Sequence, residues 1–126
     1  MTRTPTILVV QHDAAASRAI EDSLARIGFA AVSAASGKQA LKWLDQHANQ
    51  GPLLGLVDLH LPGDPDGLKL GHHLGVIYHV PFLYWARQPS DLQDPRVLQS
   101  QPYGYVLSSS EDDELLATLT LAAESL

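Results

Sequence analysis

Asp58 closes the apolar run Leu53-Leu54-Gly55-Leu56-Val57, and His60 stands two residues further on. A second polar group, Gln11-His12-Asp13, closes the earlier run Thr6-Ile7-Leu8-Val9-Val10. Imidazoles and carboxylates gathered at one place make a ligand set for Zn²⁺ or Ni²⁺, so His12 and His60 with Asp58 or Asp13 are candidates for such a site. The plainer reading is two polar histidines lining a pocket. Asp13 also stands directly before Ala14-Ala15-Ala16, the place of a helix N-cap. Ala86-Arg87 and Ser108-Ser109-Ser110 close two further apolar runs. The chain has no cysteine, which excludes a disulfide framework, a thiolate zinc site and a cysteine nucleophile.

Other chemistry finds less support. The serine triplet lacks a Gly-x-Ser-x-Gly elbow, and Ser110 reads as a cap for the helix that follows. No glycine-rich phosphate loop is present. His72 and His73 are adjacent on a helical stretch, diverge, and read as surface residues. His79 falls in the loop before a strand.

The elements that must position these residues follow from periodicity. A chain of 126 residues predicts one domain spanning residues 1–126, and 45% hydrophobic residues suffice for one core. Thr6–Val10 and Leu53–Val57 are continuous apolar runs, the mark of strands buried on both faces. Ala30–Ala34, Pro81–Trp85 and Tyr103–Leu107 are the other strands. Asp13 caps a helix with Ile20, Leu24 and Ile27 on one face, stopped by Gly28. Ser36 and Gln39 form a capping box for a helix bearing Ala40, Leu41 and Leu44. Pro62 to Gly67 is a loop, followed by a short helix near Leu68–Leu74. Between Pro89 and Gln101 the sequence is ambiguous, with Pro95 placed for the first turn of a short helix. The last helix opens on Glu111-Asp112-Asp113-Glu114, which suits its positive end. Strand and helix alternate five times, predicting an α/β fold: a five-stranded parallel sheet with helices on both faces. Ligands of such sheets sit beyond the carboxyl ends of the strands, where Gln11, His12, Asp13, Asp58, His60, Ala86, Arg87 and Ser108 fall.

The segment Leu56-Val57-Asp58-Leu59-His60-Leu61-Pro62-Gly63, with Asp66-Gly67, resembles the phosphoacceptor strand and loop of response-regulator receiver domains. Ile7–Val10, Val80–Tyr84 and Pro102–Leu107 resemble the first, fourth and fifth strands of that family, in order and at its spacing. The resemblance implies a flavodoxin-like (βα)₅ fold. It also implies phosphoryl transfer from a phosphohistidine to an aspartate at the position of Asp58. Of the family's five functional positions, Asp58 alone matches. Gln11 and His12 replace the acidic pair that holds Mg²⁺, Ala86 replaces a Ser or Thr, and Ser108, followed by Ser109, replaces a Lys. His60 occupies a position that modulates dephosphorylation in the family. Tyr105 matches its switch aromatic, expected inward here because Ala86 leaves room. Arg87 is expected to face solvent, and Trp85 either fills space near the old site or lies under a helix.

The phosphoryl group carries spread charge, and its transfer depends on neutralising and positioning it. Mg²⁺ takes hard oxygen ligands, whereas the imidazole of His12 suits transition metals. The resemblance with these departures implies a pseudo-receiver: a non-enzymatic, phosphorylation-independent interaction module of two-component (phosphorelay) signalling, with weak or absent Mg²⁺ binding and no cofactor. The alternatives are a receiver phosphorylated slowly on Asp58, and a small-molecule or transition-metal sensor using the vacated pocket. A phosphodonor histidine belongs to helical bundles, which this alternating pattern excludes. The implied partners are a sensor kinase, an effector or a second copy, met through the fourth helix, fifth strand and fifth helix. A net charge of −6 argues against nucleic acid. The apolar segments are too short to span a membrane, and the start Met1-Thr2-Arg3-Thr4-Pro5 predicts no signal peptide and a cytoplasmic place.

Overall fold

Runs of β-branched and aliphatic residues form the strands, and helices cross over between them. The computed structural model describes residues 4–47, 51–109 and 111–124. It contains β1 (Thr6–Val10), α1 (Ala14–Arg26), β2 (Ala31–Ala34), α2 (Gly37–His47), β3 (Leu53–Asp58), α3 (Gly67–His72), β4 (Phe82–Ala86), α4 (Pro95–Gln99), β5 (Gly104–Leu107) and α5 (Asp112–Glu124). The strands pair in parallel in the order β2-β1-β3-β4-β5. This is the flavodoxin-like α/β arrangement expected from the sequence.

The two-residue period of the strands divides the core into two layers. Leu8 and Val10 of β1 and Phe82, Tyr84 and Ala86 of β4 face α2, α3 and α4, meeting Ala40, Leu44, Leu70 and Val97. Ile7, Val9, Leu54, Leu56 and Leu83 face α1 and α5, meeting Ile20, Leu24, Leu115 and Leu119. Each such aliphatic side chain contributes about 1.5–3 kcal/mol when fully buried. One buried polar pair joins the first layer: Ser100 Oγ donates to Val97 O at 2.7 Å, so the Tyr84 hydroxyl donates to Ser100 Oγ at 2.6 Å.

Local signals explain most helix ends. Asp13 Oδ1 accepts from the N–H groups of Ala15 and Ala16, and Gly28, at φ +92°, ends the first crossover. The capping box expected at Ser36 is half formed. Gln39 N–H donates to Ser36 Oγ, but Gln39 Oε1 reaches back to Ala35 N–H instead of Ser36. The short third helix passes into a π-helical turn at His73–Ile77. Pro81 precedes β4 instead of opening it, and its carbonyl accepts from Gly55 N–H at 2.9 Å. The ambiguous stretch resolves into a 3₁₀ turn, Pro89–Gln93, and α4, capped by Asp94 with Pro95 in its first turn. The cap expected from Ser110 lies outside the described residues. No helix of the described residues is long and apolar enough to cross a membrane.

Candidate functional site

The ends of β1, β3, β4 and β5 bring Gln11, His12, Asp58, His60, Ala86, Arg87 and Ser108 to one edge of the sheet. Asp58 is 2% exposed. Its Oδ1 accepts from His60 N–H at 2.9 Å, which turns the chain after β3. Its Oδ2 is buried with no hydrogen-bond partner. The group facing that oxygen is His12, whose Nδ1 lies 3.6 Å away, beyond hydrogen-bond reach. The carboxamide oxygen of Gln11, a buried residue, accepts from Asp13 N–H at 3.2 Å. Ala86 is fully buried and presents only a methyl group. Ser108 continues from β5, its N–H bonded to Ala86 O at 2.8 Å.

One expectation needs correction, and two alternatives give way to their plainer readings. Asp13 takes the cap position, its Oδ1 accepting from Ala15 and Ala16 N–H. His60 does not complete a three-residue set with His12 and Asp58. Its ring turns the other way, Nε2 lying 3.1 Å from Asp91 Oδ2, and no three metal-binding side chains converge among the described residues. Tyr105 does not sit inward but is 53% exposed. Room left by the Ala86 methyl does not draw the ring in, because the solvent side is open to it. Trp85 takes the plainer of its two readings, half-buried on the α1 and α5 side with Ile20 and Leu115. Arg87 faces solvent as expected. His72 is exposed, His73 is half-buried, and His79 lies exposed before β4.

Asp91 is the functional residue that sequence reasoning missed. Its Oδ2 accepts from Arg87 N–H and Gln88 N–H, each at 3.2 Å, besides its contact with His60. The local signal was Gln88-Pro89-Ser90-Asp91, a polar cap, a proline and an acid at the third helical position. The reach to His60 had no local signal. Together the two residues clip the loop after β4 to the loop after β3. They line a pocket of about 450 Å³ with His12, Pro62, Arg87 and Gln88.

The hydrogen bond from His60, more than the backbone N–H groups of Gln88 and Arg87, holds the Asp91 carboxyl below its ordinary value. A lowered carboxyl contributes stability that is complete above the ordinary carboxylate range and is lost as pH falls through the folded value. Thermal melts from pH 7 to pH 3 are therefore expected to show Asp91→Asn less stable than the unaltered chain near neutrality. The two curves should converge at the acid end. A constant gap would mean that ionisation of Asp91 plays no part.

No family model matches the chain. The uncharacterized transcriptional regulatory protein YrkP of Bacillus subtilis (strain 168) is 30% identical over 111 residues, 88% of this chain. The chain spans 46% of that relative's length. Among solved structures, the BeF₃-activated N-terminal receiver domain of Klebsiella pneumoniae RstA superposes with a TM-score of 0.81, at 24% identity over 94% of this chain and 97% of that one. The N-terminal domain of a response regulator/sensory box/GGDEF three-domain protein from Carboxydothermus hydrogenoformans gives 0.84, at 21% identity over 95% and 94%.

This chain has the receiver-domain fold. The receiver fold accounts for the buried carboxylate at the end of β3 and for the short loops that surround it. Gln11, His12, Ala86 and Ser108 stand at the strand ends around Asp58.

Proposed function

We propose that this receiver domain serves two-component signalling as a protein-contact module, without the usual Mg²⁺ and phosphoaspartate cycle. The observation that carries the reading is the donor set around Asp58. Mg²⁺ prefers oxygen ligands in near-octahedral geometry. Here Gln11 has turned its oxygen to the backbone and His12 offers nitrogen. These residues do not fit the ion. Ala86 has no proton to donate to a phosphoryl oxygen, and Ser108 brings no positive charge. Asp58 keeps the acceptor's place without the groups that would neutralise the arriving charge.

The partner surface is the face of α4, β5 and α5. Leu98 is 79% exposed, and Tyr103, Tyr105, Leu116 and Leu121 are exposed beside it. Tyr103 Oη donates to Leu121 O at 2.9 Å, tying the start of β5 to α5 and stiffening that face. Apolar side chains held on a rigid face suit a kinase, an effector or a second copy of the chain. The chain's acidity favours such partners over nucleic acid.

Incubation with acetyl phosphate and Mg²⁺, read by intact mass, tests the reading. The expected result is no gain in mass. A gain of one phosphoryl group, absent in Asp58→Asn, would overturn it in favour of a slow but working receiver.

A further inference from the structure

We propose that His12 Nδ1 and Asp58 Oδ2 together bind one transition-metal ion of the class that prefers imidazole, such as Zn²⁺, Co²⁺ or Ni²⁺. The inference rests on the reading that the Mg²⁺ ligands have been replaced, and asks what the replacements can hold. Two observations point to a ligand. The first is the orphan oxygen: Asp58 Oδ2 is buried and accepts no hydrogen bond. A buried polar atom without a partner is costly, so a cation reaching it gains more than at a solvated carboxylate. The second is spacing. Nitrogen and oxygen ligands about 2.0–2.1 Å from a tetrahedral ion lie about 3.4 Å from one another. His12 Nδ1 and Asp58 Oδ2 are 3.6 Å apart, too far for a hydrogen bond and close to that separation.

The donor chemistry selects the ion class. One imidazole with one carboxylate suits Zn²⁺, Co²⁺ and Ni²⁺ better than Mg²⁺ or Ca²⁺, whose sites are built from oxygen. His12 is exposed and lines the pocket, so an ion arriving from solvent meets its ring first. The pocket beyond it, about 450 Å³, leaves room for water at the remaining positions. His60 stays with Asp91 across the pocket, so the protein supplies a pair of ligands and water completes the shell. Such a pair predicts modest, reversible binding instead of a permanent structural ion.

The test is titration calorimetry of the full, tag-free chain with Zn²⁺, Co²⁺ and Mg²⁺, with Co²⁺ visible absorption as a second readout. Saturable binding of one Zn²⁺ or Co²⁺ per chain is expected, with Mg²⁺ much weaker. Loss of an outer-shell partner typically weakens a metal site by 10–100-fold, so loss of a direct ligand in His12→Ala or Asp58→Asn should cost at least about tenfold. A His72→Ala, His73→Ala double variant should bind as the unaltered chain does. No saturable binding, or binding that survives His12→Ala, or binding lost only in the double variant, overturns the proposal. Mg²⁺ bound as tightly as Zn²⁺ overturns the ion class. Failure of Zn²⁺ binding leaves the acetyl phosphate result unaffected, so the two readings fail separately.

Discussion

Restoring four positions at once, through Gln11→Asp, His12→Asp, Ala86→Thr and Ser108→Lys, is expected to give a chain that gains one phosphoryl group from acetyl phosphate when Mg²⁺ is added. The unaltered chain should gain none over the same time. Each missing group acts on the same developing charge, and loss of one positioned donor alone can cost about 10²–10³ in rate. Groups that act as a unit are far from additive. Each single substitution is therefore expected to stay close to the unaltered chain, and the effect should emerge only in combination. Position is already provided. Ser108 lies beside Ala86, joined by the bond from its N–H to Ala86 O, and Gln11 and His12 directly follow β1, the strand next to β3. The restored set would bring three carboxylates together, whose repulsion should lower Tm in the absence of metal. Mg²⁺ should raise Tm again, because a ligand of the folded state stabilises it. Intact mass and thermal melts read both effects. A folded fourfold variant that binds Mg²⁺ and still gains no phosphate would show that something other than the four side chains silences the site.

The largest expected loss of stability comes from Gly67→Ala. A Cβ placed at Gly67 would lie 2.3 Å from Asp58 O and 2.7 Å from Leu59 O. Both neighbours are backbone, and Leu59 is tied by its N–H to Trp85 O at 3.1 Å. The clash cannot be relieved by a side-chain rotation, so either α3 or the end of β3 must move. Overpacking of this kind costs about 1–3 kcal/mol, and for a chain of this size the corresponding fall in Tm is about 4–12 °C. Gly75→Ala is the control. Its added methyl would meet Ser100 O at 3.5 Å and Phe82 Cε1 at 3.6 Å, ordinary contact distances. Equal melts for Gly67→Ala and the unaltered chain would show that the approach of α3 to β3 is not as tight as described.

The strands were legible because each buried run carries its own pattern, whereas their order in the sheet came from the structure. β1 and β3 read as doubly covered strands, and the layers confirm it, with Ile7 and Val9 on one face and Leu8 and Val10 on the other. Asp13 and Gly28 were legible because caps are local chemistry. The extent of α3 was not, since His73–Ile77 adopts a π-helical turn that its composition does not announce. The strand-end location of Asp58, His12 and Ala86 followed from the alternation of elements. The turning of the His60 ring to Asp91 did not, because it depends on how two loops distant in sequence meet. The orientation of Tyr105 was not legible for a related reason: space near one residue does not fix a rotamer when solvent is available on the other side.

The buried methyl of Ala86 has a thermodynamic meaning. β4 lies between β3, which ends in Asp58, and β5, which carries Tyr105. For two sites to share a coupling free energy, some element between them must have two arrangements that both sites bias. A hydroxyl at this place can exchange one hydrogen-bond partner for another, and so can take sides. A methyl group has no partner to exchange. Occupation of the pocket at Asp58, by whatever ion or proton, then has no hydrogen-bonded lever on the far face. On the reading proposed above, binding at the pocket and binding at the face are expected to be independent equilibria, whose free energies add.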